Sequence, residues 1–187
     1  MNTIQNLGQQ IIQELDQTLA NLDNDPAEAL VRTLLDADTS FVAGAGRSGF
    51  MVKAFAMRLM HMGREVYVVG ETVTPNLTAD DLLLIASGSG TTDSLVVMAQ
   101  KAKALGARLA LVTIDPASPI GELADIVLPI PAPSPKVQRK TDFTSIQPMG
   151  SLFEQALLLT LDTLILMLME RQGKTSGGMF TRHANLE

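Results

Sequence analysis

The sequence predicts an α/β fold: a three-layer α/β/α sandwich around a five-stranded parallel sheet of the doubly wound, flavodoxin-like kind. Three observations carry this. Short apolar runs at 40–43, 66–69, 82–86, 108–113 and 126–128 read as strands. Segments with helical spacing lie between most of them, and such alternation implies right-handed crossovers and helices on both faces of the sheet. Two glycine-rich turns, Gly44-Ala45-Gly46-Arg47-Ser48-Gly49 and Ser87-Gly88-Ser89-Gly90-Thr91-Thr92, each follow a strand, at the carboxyl ends where such sheets bind ligands.

Taken in order, Ile4, Leu7, Ile11, Leu15, Leu19 and Leu22 recur at three- and four-residue intervals, an amphipathic helix over 4–22. Asp25-Pro26 reads as N-cap and first residue of a second helix ending near Asp36. Two helices ahead of the first strand exceed what a minimal α/β domain needs; they either cover their own sheet or pack on a partner subunit. Ser40 to Ala43 is the first strand, GAGRSG the loop after it, and Phe50 to Met62 a helix. Val66 to Val69 is the second strand. Leu82 to Ala86 is apolar throughout, the pattern of a strand buried on both faces. A helix from Thr92 to Leu105, a strand over Arg108 to Thr113, a helical turn at 119–124 and a strand over Ile126 to Leu128 complete the sheet. The segment 129–148, rich in Pro and polar residues, is either a functional or mobile loop or a passive connection. The last helix, Met149 to Arg171, is apolar around most of its circumference but carries Asp162, so it reads as a buried helix and not a membrane span. The tail TSGGMFTRHANLE opens with a glycine hinge and ends polar.

Composition bounds the function. At 187 residues, 46% hydrophobic and 18% charged, the chain is expected to form one globular domain over 1–187. A net charge of −6 without a Lys/Arg cluster argues against a nucleic-acid partner. The absence of Cys removes disulfides, thiolate metal sites and cysteine nucleophiles, and two His are too few for a zinc site. The first residues hold no basic stretch followed by an apolar core, so no signal peptide is read there; a soluble cytoplasmic enzyme or binding domain is expected.

The turn SGSGTT is a candidate phosphate seat. Gly88 and Gly90 let the backbone approach a ligand, the following helix N-terminus offers free N–H groups, and Ser87, Ser89 and Thr92 add uncharged donors. The bland alternative is a turn with a Ser or Thr N-cap. Gly44-x-Gly46-x-x-Gly49, with Glu71 about twenty residues on, also satisfies the dinucleotide fingerprint. That reading ranks second, because it leaves the SGSGTT loop without a task and does not use Arg47 and Ser48, which suit a phosphomonoester or sugar hydroxyls.

Two loops of this type in this order resemble the sugar isomerase (SIS) domain, a phosphosugar-binding family with a five-stranded parallel sheet between helices. Together with QPMGSLFEQ at the last helix and HANLE at the end, the chain looks like the 6-phospho-3-hexuloisomerase branch of that family. The resemblance implies an isomerase interconverting D-arabino-hex-3-ulose 6-phosphate and D-fructose 6-phosphate through a cis-enediol, in formaldehyde assimilation by the ribulose monophosphate pathway. It places Ser48, Ser87, Ser89 and Thr92 on the phosphate, with Gly46, Arg47, Gly88 and Gly90 lining the substrate. Many relatives have Glu where this chain has Thr91. Glu154 is implied as general base and His183 as a tail histidine reaching a neighbouring subunit's site; their plain alternatives are a carboxylate at a helix N-terminus and a solvated tail residue. A structural role suits His61 better. No metal or other cofactor is called for. The partners expected are the phosphosugar, no nucleic acid, no membrane, and further copies of the chain in a homodimer or homotetramer, built through residues 4–37 and 149–187. The competing readings are another phosphosugar aldose–ketose isomerase and a non-catalytic phosphosugar-sensing module.

Overall fold

The computed structural model describes residues 3–137 and 144–186. Two helices, α1 (Ile4–Ala20) and α2 (Asn24–Asp36), precede β1 (Ser40–Gly44), α3 (Gly46–His61), β2 (Val66–Val68), β3 (Leu82–Ala86), α4 (Asp93–Ala104), β4 (Arg108–Thr113), β5 (Ile126–Pro129), α5 (Ser151–Gln172) and α6 (Ser176–Phe180). The sheet is five-stranded and parallel in the order β2-β1-β3-β4-β5, as the alternation of strands and helices predicts.

The pleat sorts the strand side chains into two cores. Val42, Leu84, Val112 and Leu128 point to one face, where α2, α3 and α5 cover them with Leu30, Phe55, Leu59 and Leu157. Phe41, Leu83, Ile85 and Leu111 point to the other, where α4 contributes Leu95, Ala99 and Ala102. Alternation within one strand therefore feeds both layers, which is why β3 and β4 read as unbroken apolar runs.

Three local expectations are corrected and one is met. The cap of α2 is Asp23, whose side chain accepts from the Asp25 amide, so Asp25 and Pro26 lie inside the first turn, where their amides need no helical partner. Helix α3 starts at Gly46, so Arg47, Ser48 and Gly49 form its first turn instead of a loop. Residues 119–124 form the expected helical turn, with i→i−4 amide bonds from Glu122 to Ser118 O (2.9 Å) and from Ala124 to Ile120 O (3.0 Å). The tail contains α6, capped by the Thr175 hydroxyl accepting from the Gly178 amide at 3.2 Å.

By length and composition α5 would pass for a membrane span, with 22 residues and a mean hydropathy of 1.7. Its Leu152, Phe153, Leu157, Leu161, Leu164 and Leu168 instead build the core. The connection 129–148 is anchored at both described ends. Ile130 donates its amide to Thr113 O at 2.7 Å and is buried, and residues 145–147 are tied to Glu14 on α1. Residues 138–143, in the middle of the segment expected to be functional or mobile, lie outside the described residues.

Candidate active site

Strand order sets the place. From β1 the chain crosses to β2 on one side, and β3 lies on the other, so the order reverses between β1 and β3. The two strands run in register to their ends, Gly44 opposite Ala86, and both glycine-rich turns leave from that crevice. The loops predicted to share a ligand are therefore neighbours.

The first turn is built on contact too close for side chains. A Cβ on Gly49 would lie 2.7 Å from the Gly44 carbonyl oxygen, so the start of α3 sits directly on the end of β1. Gly46 takes φ +57°, a left-handed conformation that glycine adopts without strain. The amides of residues 46–48 open α3 toward the crevice. Ser48 is half-buried there and Arg47 is exposed beside it.

The second turn braces itself. Ser87 is buried, and its hydroxyl accepts from the Gly90 amide at 3.1 Å. Gly90 has φ +61°, and a Cβ there would collide with the buried Ser118 hydroxyl at 1.9 Å. The Gly88 carbonyl accepts from Ile114 N at 3.0 Å and from the Thr113 hydroxyl at 3.1 Å. Ser89 Oγ accepts from the Thr91 hydroxyl at 2.9 Å, which leaves the Ser89 proton to be donated outward. Thr92 is the N-cap of α4, but its hydroxyl makes no capping bond. Ser87 thus shapes the loop as well as facing it, while Ser89 and Thr92 keep donor capacity.

Helix α5 joins the two turns with consecutive residues. The Phe153 ring packs on Gly88, where a Cβ would stand 3.2 Å from its Cδ1. Glu154 forms an ion pair with Arg47 Nε. The Glu154 side chain is 17% exposed and that of Arg47 59%, so the carboxylate is held in place while the guanidinium is open to move toward a ligand. Glu71, the acid of the dinucleotide template, is occupied by Lys53 of α3 at 2.7 Å.

His183 lies elsewhere in this chain. Its ring stacks on that of His61 with centroids 5.6 Å apart, at the far end of α3. His61 lies fourteen helical steps beyond Arg47, about 21 Å along α3. The tail is fixed there by Lys174, which donates to the Met62 carbonyl, and by the Arg182 guanidinium lying over Gly63, cations placed at the carbonyl end of a helix. Burial, then Arg58, then His183 lower the pKa of His61. The structure therefore brings Gly46, Arg47, Ser48, Ser87, Gly88, Ser89, Gly90, Thr92 and Glu154 to one crevice and leaves His183 outside it.

Sequence reasoning missed Phe153, Thr113 and Ser118, which set the shape of the second turn. QPMGSLFEQ contains Phe153 but gave no sign of which loop it meets, and Ser118 sits in a turn with no motif.

A parallel five-stranded sheet with two hydroxyl- and glycine-rich turns at its switch point defines an α/β class that binds ligands in that crevice, and the chain belongs to the SIS domain family, which it matches over residues 33–167. It is 51% identical over 178 residues to the 3-hexulose-6-phosphate isomerase of Bacillus subtilis, covering 95% of this chain and 96% of that one. It is 45% identical over 177 residues to that of Mycobacterium gastri, covering 93% and 86%. A crystal structure from Methanococcus jannaschii, whose authors infer 3-hexulose-6-phosphate isomerase activity, superposes with a TM-score of 0.81 at 33% identity, over 97% of each chain.

Proposed function

We propose that the chain is a 3-hexulose-6-phosphate isomerase, interconverting D-arabino-hex-3-ulose 6-phosphate and D-fructose 6-phosphate in the ribulose monophosphate pathway. The observation that carries the reading is Glu154 in the crevice of the two turns, on a chain about half identical, end to end, to an isomerase of that name.

In this reading the phosphate sits at the β1/β3 switch point, taking the amides at the start of α3 and α4 and the hydroxyls of Ser48, Ser87, Ser89 and Thr92. Glu154 removes the proton from C2 of the 3-ketose, leaving a cis-enediol, and returns a proton to C3 on the same face. O2 gives up its hydroxyl proton and O3 gains one. Arg47, drawn from Glu154 to the enediol oxygens, stabilises the charge that develops there and frees the carboxylate for carbon. The chemistry draws on no metal.

Assembly belongs to the same proposal. Phe50 and Met57 on α3 and Leu166 on α5 are exposed apolar side chains, which supports a homodimer or homotetramer. In that assembly His183 serves a neighbouring subunit's crevice. The decisive experiment is direct detection of the 3-hexulose formed from fructose 6-phosphate. Wild type produces it; Glu154→Gln binds the sugar phosphate but loses about 10²–10⁴-fold in rate. A sensing module would bind and produce none, and an aldose–ketose isomerase would yield an aldose instead.

A further inference from the structure

Glu14 has no part in this chemistry, yet its carboxylate gathers three hydrogen bonds from a segment 131 to 133 residues away. Ser145 Oγ donates at 2.7 Å, Ile146 N at 2.7 Å and Gln147 Nε2 at 2.9 Å. The Gln147 amide closes the cluster by donating to Ser145 Oγ at 3.0 Å. Two residues on stands Met149 with φ +57°, the one left-handed non-glycine residue among those described. Its side chain is 76% exposed, so burial does not offset the strain. A strained residue of this kind persists only where its surroundings over-determine it, and such residues gather at functional sites.

The strained turn runs straight into the helix that carries Glu154. Gly150 precedes α5 without a side-chain cap, Ser151 N donates to Pro148 O at 3.1 Å, and Glu154 N donates to Gly150 O at 3.0 Å. A Cβ on Gly150 would lie 3.6 Å from Glu154 Oε1. The turn and the carboxylate are one backbone unit, and Glu14 grips that unit from α1.

We propose that Glu14 is a positioning residue for the isomerisation: by clamping residues 145–147 to α1 it fixes the turn at 148–150 and so the direction in which Glu154 presents its carboxylate. The inference rests on the reading of Glu154 as the base. Burial opposes the charge on Glu14, but the bonds from Gln147, Ile146 and Ser145 outweigh it and hold the carboxyl below its ordinary pKa. It therefore accepts all three bonds at neutral pH.

The test is Glu14→Gln, whose amide nitrogen cannot accept, in wild-type and Glu154→Gln backgrounds. Because the clamp acts on the base and not on the phosphate seat, kcat is expected to fall roughly tenfold or more while KM for fructose 6-phosphate stays within about twofold. In the Glu154→Gln background the same change should cost nothing further. Ser145→Ala and Gln147→Ala remove donors without burying a new group, and are expected to lower kcat in the same sense; they carry the test should Glu14→Gln not fold. Wild-type kcat in the folded fraction of these variants, with only the melting temperature lowered, overturns the inference, as does an equal loss in both backgrounds. A fully active Glu154→Gln overturns the base assignment and the inference with it, whereas wild-type kcat in the clamp variants overturns the inference alone.

Discussion

At Gly49 the missing side chain is a distance. An added Cβ would stand 2.7 Å from the Gly44 carbonyl, backbone against backbone, with no flexible chain end to swing aside. Gly49→Ala is therefore expected to destabilise the fold by about 1–3 kcal/mol, read by urea denaturation, and to weaken phosphosugar binding because it pushes the start of α3 off β1. The sequence announced this turn through its glycine spacing, although it read as a loop: a left-handed Gly46 hides the fact that helical geometry has already begun. His61 carries a second outcome. Burial, Arg58 and His183 depress its pKa below the unfolded value of 6.5, and Asp162 is the carboxylate lining the cleft between α3, α5 and the tail that His61 and His183 also line. The unfolded chain then binds more protons between the two values. The contribution of His61 is full above its unfolded pKa and is lost as pH falls through its folded one. Replacing it by Phe should flatten the decline in melting temperature below about pH 6.5, as scanning calorimetry would report. A flat wild-type profile there would contradict the buried neutral imidazole.

Helices and strands were legible where one rule acted alone. All five strands lie within a residue of where apolar runs place them, because a doubly covered parallel strand has no reason to be anything but apolar. Helix ends were less legible: Asp23 and Asp25 are chemically equivalent caps, and only backbone geometry chooses between them. The Glu14 clamp was illegible: Gln147 opens the QPMGSLFEQ segment, but nothing local points it to Glu14, and the contact spans more than 130 residues. Within α5 the hydrophobic pattern hides buried polar atoms: Gln155 Oε1 and the hydroxyl of the buried Thr160 have no hydrogen-bond partner among the described residues. Thr160→Val keeps the shape and removes the orphan, so it is expected to raise stability by about 1 kcal/mol, visible as a higher denaturation midpoint. A lower midpoint would mean that the hydroxyl is satisfied in solution.

For the whole molecule, the exposed Phe50, Met57 and Leu166 leave apolar surface on the α3 and α5 layer, the same layer that carries Glu154. If this surface joins copies of the chain, Leu166→Glu should shift sedimentation toward monomer while leaving each chain folded by circular dichroism. Should wild type already sediment as monomer at micromolar concentration, the shared role of His183 fails. The two glycine-rich turns belong to different layers, since α3 lies on one face of the sheet and α4 on the other. In the proposed binding mode a sugar phosphate seated between their first turns is a rivet through the sandwich, reinforcing the contact that Phe153 of α5 already makes with Gly88 of the second turn. Its arrival should slow amide hydrogen exchange on both sides of the sheet at once, and an inhibitor held by one turn alone should quiet only its own side.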